Sequence, residues 1–435
     1  MSEINKLMVG LDIGTTKVCV IVGQKNENGK INVLGIGKAP SLGGVMRGEV
    51  TNITKTVDAI KIAVQQAANL SNVEINTVHV GIAGEHIRSF QHSGVKIREN
   101  SETEIMAHEL EALEKEQHRL SIEPGSQILH VLPQEYRIDG RHGIKDPIGM
   151  TGTKLECNYH IITGRVTAAK TIAKCVENAG LQVADVVVEP IASACAVLSE
   201  EEMQSGIAIL DIGGGTSDLA IFHDGKIRHT AVIPFGGEII TADIAEAFQI
   251  MEKQAELLKV KFGYALPEAT KSNEIVVVPG IGNRRPKEIS TRNLANVIHA
   301  RIKEIVEMVN DEIMVSGYKN KLNLGIVLTG GGAQLKYIDQ LVEYVTGFEV
   351  KLGFPDQHLG KGLVDEVKSP MFATGIGLVI KGFEGDREAG NNVKGGVKKE
   401  QKDKAKNGGI LSIFGNFTGG FKNWLDDDQN LNDFK

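Results

Sequence analysis

The sequence predicts an α/β protein of two similar halves, and three glycine-bearing stretches carry that prediction. Ile207-Ala-Ile-Leu-Asp211 is an apolar run that ends in a turn at Gly213, Gly214 and Gly215, and a second apolar run leaves through Leu219 to Phe222. Strand, glycine turn, strand reads as a β-hairpin. Leu7 to Val22 repeats the plan with an apolar run, Asp12, Gly14, Thr15, Thr16, Lys17 and another apolar run. The third stretch, Ile326-Val-Leu-Thr-Gly-Gly-Gly-Ala-Gln-Leu335, is a strand and a glycine triplet. A helical pattern through Ile338, Leu341, Val342 and Val345 follows it.

These residue types suit phosphate. Glycines lack Cβ, so consecutive backbone N–H groups can converge on an anion, and Thr216 adds a hydroxyl donor. Asp211, at the mouth of the turn, suits Mg²⁺ held through water, because that ion sheds its hydration shell reluctantly. Asp12 takes the matching place in the first hairpin, 199 positions earlier. Two such turns imply two halves that clamp one nucleotide between them. Backbone at Gly330, Gly331 and Gly332 can lie flat against an adenine or a sugar. None of the three is a Walker loop, and none is a Rossmann fingerprint, because both Asp-x-Gly turns lead into strands. For either turn alone a ligand-free hairpin is the plain alternative; the repetition tells against it.

Five stretches in order carry a resemblance: Asp12-Ile-Gly-Thr-Thr, Glu189-Pro-Ile-Ala-Ser-Ala, Asp211-Ile-Gly-Gly-Gly-Thr-Ser-Asp, Leu328-Thr-Gly-Gly-Gly-Ala and Ala373-Thr-Gly-Ile-Gly. They resemble the signatures of the actin, sugar-kinase and heat-shock-chaperone superfamily. Within it the chain most resembles the FtsA family, bacterial actin homologues that tie FtsZ filaments to the membrane during division. The match spans residues 5–383 and, in type, the tail. It implies an actin-like fold: two ribonuclease-H-like domains around a nucleotide cleft, a small inserted α/β subdomain and a C-terminal amphipathic helix. It also implies ATP and Mg²⁺ as cofactors. The implied division is 1–84, 164–204 and 371–383 for the first core, with 85–163 inserted, and 205–240 and 317–370 for the second core. Residues 241–316 form the subdomain that receives FtsZ, 384–409 a linker, 410–425 a membrane helix and 426–435 an acidic tail.

Composition sets outer bounds. With 435 residues, 41% of them hydrophobic, the chain can bury a sizeable core in more than one domain. A net charge of -7 argues against general nucleic-acid binding. No run of eighteen apolar residues exists to span a bilayer, and the first residues lack a signal-peptide core. Cys19, Cys157, Cys175 and Cys195 show no paired spacing and read as buried thiols of a reducing cytoplasm.

Taken in order, Ile31 to Gly37 reads as a strand, and Ile53, Val57, Ile60, Val64 and Ala67 mark a helix. Val78 to Gly84 reads as a strand. A charged helix from Glu102 to Arg119 and strands Ile128 to Ile138 and Leu155 to Ile162 make up the insert, with turns at Asp139-Gly140 and Gly149. In the family this insert meets neighbouring subunits and later division proteins; a surface elaboration without function is the alternative. Helix Val166 to Ala179, closed by Gly180, leads to strand Gln182 to Val188. Pro190 then suits the first turn of a helix of small residues. The resemblance places at Glu189 the group that orients the attacking water, beside Asp211 as a second catalytic carboxylate. A strand-end Glu facing solvent is the bland alternative.

Beyond Pro234-Phe-Gly-Gly-Glu238, Glu256 and Lys259 sit three apart on a helix. The resemblance sends Glu238, Glu256 and Lys259 to the nucleotide; an ordinary surface ion pair fits the last two equally. Val276 to Pro279, Ile281-Gly282 and the helix Arg292 to Ser316 resemble the FtsZ-receiving subdomain. Arg292, Arg301 and Glu304 beside Val297 and Met308 would face a short acidic and apolar tail peptide. The alternative is a solvated helix face.

Residues 384–409 carry almost no apolar side chains and read as a disordered linker, of about 28 Å root-mean-square reach. In 410–425, Ile410, Leu411, Ile413, Phe414, Phe417, Phe421, Trp424 and Leu425 form one stripe at helical spacing. It is too short to span and lies detached from the core, so it reads as an in-plane membrane anchor. Burying these side chains gains on the order of 10 kcal/mol and ordering the segment costs a similar amount. Single-chain attachment is therefore weak, and a polymer of many copies is needed for stable binding. Gly415, Gly419 and Gly420 weaken the helix, and Asp426, Asp427 and Asp428 stand where family anchors carry Lys or Arg. Docking on a protein partner is the competing reading.

The leading expectation is a cytoplasmic ATP-binding division adaptor on the inner face of the membrane at the septum. It polymerises, binds the FtsZ C-terminal peptide and recruits later division membrane proteins, with at most slow ATP hydrolysis. A small-molecule kinase of the same superfamily is the alternative, though it gives no reason for a detached amphipathic tail. A chaperone would need a substrate domain larger than the residues that remain.

Overall fold

A computed structural model describes residues 6–271, 274–280, 282 and 285–392. The first half opens with strands β1 (Leu7–Ile13), β2 (Lys17–Lys25), β3 (Ile31–Pro40), β4 (Val45–Met46) and β5 (Glu49–Val50), then α1 (Ile53–Ser71) and β6 (Thr77–Ile82). The insert holds β7 (Arg88–Ile97), α2 (Ala107–Gln117), β8 (Ser126–Ile138), β9 (Arg141–Ile144) and β10 (Lys154–Arg165). The chain returns through α3 (Val166–Asn178), β11 (Gln182–Val188), α4 (Glu189–Val197) and α5 (Glu200–Ser205). The second half runs β12 (Ile207–Ile212), β13 (Ser217–His223), β14 (Lys226–Ile233), α6 (Gly237–Phe248), α7 (Glu252–Phe262), β15 (Ile275–Val278), β16 (Lys287–Ser290) and α8 (Thr291–Val315). It continues with β17 (Ile326–Thr329), α9 (Ile338–Thr346) and β18 (Val350–Leu352), before β19 (Leu359–Gly362), α10 (Val364–Val367) and α11 (Ala373–Asn392).

The repeat seen in the sequence is a repeat of topology. The first sheet has the order β11-β6-β1-β2-β3-β19, the second β14-β13-β12-β17-β18. In each, three antiparallel strands lead into two parallel ones: β1 pairs with β2 antiparallel and β6 parallel, as β12 does with β13 and β17. These strands are buried along nearly their whole length, β12 and β17 completely. Helices cover both faces, which is why the apolar runs are continuous instead of alternating. One apolar core fills the first half and extends onto one face of the second sheet through Ile209, Ala220, Phe222 and Val327, and a second core lies on that sheet's other face.

The insert is a separate four-stranded sheet, β7-β10-β8-β9, with a small core around Leu113, Tyr136, Leu155 and Tyr159. It leans on the edge strand of the second half. Ser89 Oγ donates to the Thr230 carbonyl at 2.8 Å, and Gln91 Nε2 to the Arg228 carbonyl at 3.0 Å.

Three boundaries differ from the sequence reading. The charged helix begins at Ala107 and not Glu102, because Glu109 caps the Met106 N–H at 3.0 Å. The preceding loop instead wraps the buried Arg98, whose guanidinium bonds the carbonyls of Thr103, Glu104 and Gly152 and pairs with Glu109. Strand β19, assigned by the sequence to the second core, pairs with β3 of the first sheet, and Leu359 and Val367 lie in the first core. Helix α11 runs to Asn392, into the stretch read as linker. The rest of that stretch, the stripe at 410–425 and the tail at 426–435 lie outside the described residues.

Candidate functional site: a cleft between two glycine turns

The two Asp-x-Gly turns face each other. Asp12, Gly14, Thr15, Thr16 and Lys17 line one wall of a single cleft; Asp211, Gly213, Gly214, Gly215 and Thr216 line the other. Each turn is closed the same way, Gly14 N–H to the Lys17 carbonyl at 3.0 Å and Gly213 N–H to the Thr216 carbonyl at 2.9 Å. Gly330 and Gly331 complete the floor. Gly330 has φ of 85°, and a Cβ there would lie 2.2 Å from Asp211 Oδ1, so only glycine lets this strand end pass under the carboxylate.

Negative charge is concentrated around one ammonium. Lys17 Nζ lies 3.6 Å from Asp12 Oδ2 and donates to the Met371 carbonyl at 2.9 Å. Burial lifts the Asp12 pKa against the opposing pull of Lys17. Burial also lifts Asp211, against the 2.6 Å hydrogen bond donated by Ser193 Oγ, while Asp12 lifts it further. Glu189 stands well above the ordinary carboxylate range through burial first, then the nearby charges of Asp12, Asp218 and Asp211. A set of buried carboxylates in this state calls for a cation or for protons.

Asp218 belongs to the same set and was not singled out in the sequence. It is the direct cross-strand partner of Asp211, is 3% exposed, and takes a hydrogen bond from Thr216 Oγ1 at 3.2 Å on one oxygen. Its other oxygen, Oδ1, is buried with no hydrogen-bond partner, and burial with the Asp211 charge holds its pKa well above the ordinary range. The signal available was strand periodicity: opposite a lone Asp in a tight hairpin, a second Asp shares its face. Ser193 was read as part of a helix of small residues and Thr374 only as part of the stretch Ala373-Thr-Gly-Ile-Gly. Both bond Asp211 Oδ2, Thr374 Oγ1 at 3.3 Å.

The loop Pro234 to Glu238 stacks on the second turn, with Gly237 N–H and Glu238 N–H donating to the Gly213 and Gly214 carbonyls at 2.9 and 2.8 Å. Lys259 Nζ is held beneath it by the Gly237 carbonyl, Thr241 Oγ1 and Glu256 Oε2, each at 2.7 Å. Glu256 and Lys259 are thus an ion pair that also braces the Pro234 to Glu238 loop. Burial raises the Glu238 pKa, with Lys259 opposing.

The partner-binding residues are not brought together. Arg292 and Arg301 stand nine residues apart on α8, about two and a half turns, and so on opposite sides. Arg292 is exposed, whereas Arg301 grips Asp243 of α6 through two bonds at 2.6 and 3.0 Å and pairs with Glu304. Val297 and Met308 are half-buried against the second core. Ile281 and the membrane residues Ile410, Leu411, Phe414, Phe417, Phe421, Trp424 and Leu425 lie outside the described residues. Among the described residues no three His, Cys, Asp or Glu converge to ligate a metal directly, and no helix is long and apolar enough to cross a membrane. All four cysteines are free and buried.

Two look-alike halves around a glycine-lined cleft define the actin-like class. Solved structures share the fold. The PilM-PilN type IV pilus biogenesis complex aligns with a TM-score of 0.65 at 17% identity over 86% of this chain and 98% of that one. MreB5 of Spiroplasma citri bound to ADP aligns at 0.52 with 16% identity over 91% of this chain and 100% of that one. Family models fit two parts: "Cell division protein FtsA" at residues 208–377 and "SHS2 domain inserted in FTSA" at residues 84–163. The cell division protein FtsA of Pseudomonas aeruginosa is 40% identical over 380 residues, 87% of this chain and 90% of its own length. That of Escherichia coli K12 is 37% identical over 387 residues, 87% of this chain and 91% of its own. The chain belongs to the FtsA family of cell division proteins.

Proposed function

We propose that the chain binds ATP with Mg²⁺ in this cleft and acts as a polymerising adaptor that carries FtsZ filaments on the membrane and gathers later division proteins. The observation that carries the reading is the convergence of the two glycine turns on one cleft, with the partnerless Asp218 Oδ1 and the raised carboxyls beside them. Mg²⁺ bound through its waters supplies the counter-charge that these carboxyls lack.

The chain's own residues would divide the work. Backbone and hydroxyls at Gly14 to Thr16 and Gly213 to Thr216 bind the phosphates, with Lys17 adding charge. Asp12 and Asp211 hold the hydrated metal, and Glu189 positions a water. Glu238, Glu256 and Lys259 serve the ribose side, and Gly330 to Gly332 the base. Phosphoryl transfer requires positioning and charge compensation more than covalent help. With Glu189 as the carboxylate that orients water, hydrolysis is slow and the nucleotide gates assembly. Arg292 on α8 faces an acidic FtsZ tail peptide, and residues 410–425 bind the lipid surface peripherally.

Sedimentation of the full chain on liposomes with ATP, compared with a chain lacking residues 410–435, tests the assembly. Co-sedimentation that needs the tail and rises with ATP supports it. Equal sedimentation with and without the tail, or rapid phosphorylation of an added metabolite, overturns it.

A further inference from the structure

The first half reaches across the cleft at one more place. Strands β4 and β5 form a minimal hairpin, Val45 pairing with Val50 and Met46 with Glu49. Its tip is Arg47-Gly48, with φ of 48° and 77°, the left-handed pair that a two-residue hairpin loop demands. Gly48 and Glu49 tie the hairpin to the first half and to the end of β10. Gly48 N–H donates to Thr15 Oγ1 at 3.2 Å, and Glu49 Oε2 accepts from Arg165 Nη1 at 2.9 Å. A Cβ on Gly48 would sit 2.8 Å from the Gly84 nitrogen, so the tip is also pressed against the end of β6.

The tip itself touches the second half. A Cβ on Gly215 would lie 2.8 Å from the Arg47 nitrogen and Cα, which means the Arg47 backbone seats directly on the second glycine turn. The Arg47 guanidinium stands 5.8 Å from the centroid of the Phe235 ring, within cation–π range. Phe235 is in turn fixed by Ser217 Oγ, which donates to its carbonyl at 2.8 Å. Gly48 lines the cleft beside the Asp12 and Asp211 turns. One residue of the first half therefore touches both the turn and the flanking loop of the second.

We propose that Arg47 is a positioning residue that latches the two halves across the cleft and so sets how long a phosphate-bearing ligand stays there. The latch stands on the Gly215 and Phe235 contacts; only its effect on ligand lifetime rests on the nucleotide reading above. Arg47 is exposed, so the contact is weak enough to break each time the cleft opens. Its strength then appears in the release rate and not in capture, because the latch acts on the closed state.

Two measurements decide it. The native cysteines are buried, so spin labels on Lys61→Cys and Lys253→Cys report the distance between the halves in the full chain without nucleotide. Arg47→Ala and Phe235→Ala should each lengthen or broaden that distribution, and Arg47→Lys should restore most of it. Stopped-flow release of a fluorescent N-methylanthraniloyl-ATP should quicken about fivefold in Arg47→Ala, or about 1 kcal/mol, with association unchanged. The double variant should do no more than either single one. Identical distance distributions in Arg47→Ala and the unsubstituted chain overturn the latch. Failure of the unsubstituted chain to bind the probe removes the nucleotide reading alone and leaves the distances to decide.

Discussion

A Cβ on Gly377 would lie 1.8 Å from the carbonyl oxygen of Ala192. Helices α4 and α11 therefore meet backbone to backbone at this point, and the same two helices hold Asp211 through Ser193 and Thr374. Gly377→Ala forces them apart and should cost about 1–3 kcal/mol in urea unfolding. It should also weaken Mg²⁺-dependent ATP binding, because the Asp211 clamp loosens with the helices. An unchanged unfolding midpoint would show that the helices give way without cost.

The raised carboxyls predict a pH dependence. Glu189 and Asp218 bind protons more tightly in the folded chain than in the unfolded one, so their contribution to stability is complete below the ordinary values of 4.5 and 3.8. It is lost as pH rises through the elevated folded values. The buried His130 and His160, with pKa lowered to about 3, add the same rise below about 6.5 to the chain and to its Asp218→Asn variant. Measured against that variant, the thermal midpoint of the ligand-free chain should fall as pH is raised from about 5 to about 8. Asp218→Asn should flatten that slope and raise the midpoint at the alkaline end, as read by calorimetry.

Lys259 joins Glu256, Thr241 and the Gly237 carbonyl under the loop that covers the second glycine turn. Lys259→Met removes the ion partner of Glu256, which keeps only the Thr241 hydroxyl, and leaves the loop unsupported. ATP affinity by titration calorimetry should drop about tenfold, or about 1.4 kcal/mol. Glu256→Gln should cost less, since Lys259 keeps two of its three partners.

The two arginines of α8 should separate cleanly. Arg292→Glu, on the exposed side, should weaken binding of an FtsZ tail peptide while leaving thermal stability within error. Arg301→Glu places a third negative charge beside Asp243 and Glu304 and should lower the melting temperature instead. Peptide affinity unchanged in Arg292→Glu would move the contact elsewhere on the subdomain.

Strands β11, β12 and β17, the helix opening at Glu189 and the limits of the insert were legible in the chain, because apolar runs, glycine turns and caps are local signals. Asp12, Asp211 and the glycine triplets were legible for the same reason: their chemistry is written within a few residues. Asp218, Ser193, Thr374 and Arg47 were not, since each acquires its role from a residue on another element. The pairing of β19 with β3 likewise depends on where distant segments come to rest, whereas the opposite facing of Arg292 and Arg301 follows from their spacing on one helix and was open to the sequence.

By itself the sequence determined two duplicated α/β halves, each with an acidic glycine turn. Only the tertiary structure decided that the two turns share one cleft, that Asp12, Glu189, Asp211 and Asp218 line it together with Lys17, and that a hairpin tip bridges the gap. The physical reason is range. Secondary structure follows from neighbours along the chain, whereas burial, charge crowding and close backbone approach arise only when segments some two hundred residues apart, such as those of Asp12 and Asp211, are packed together.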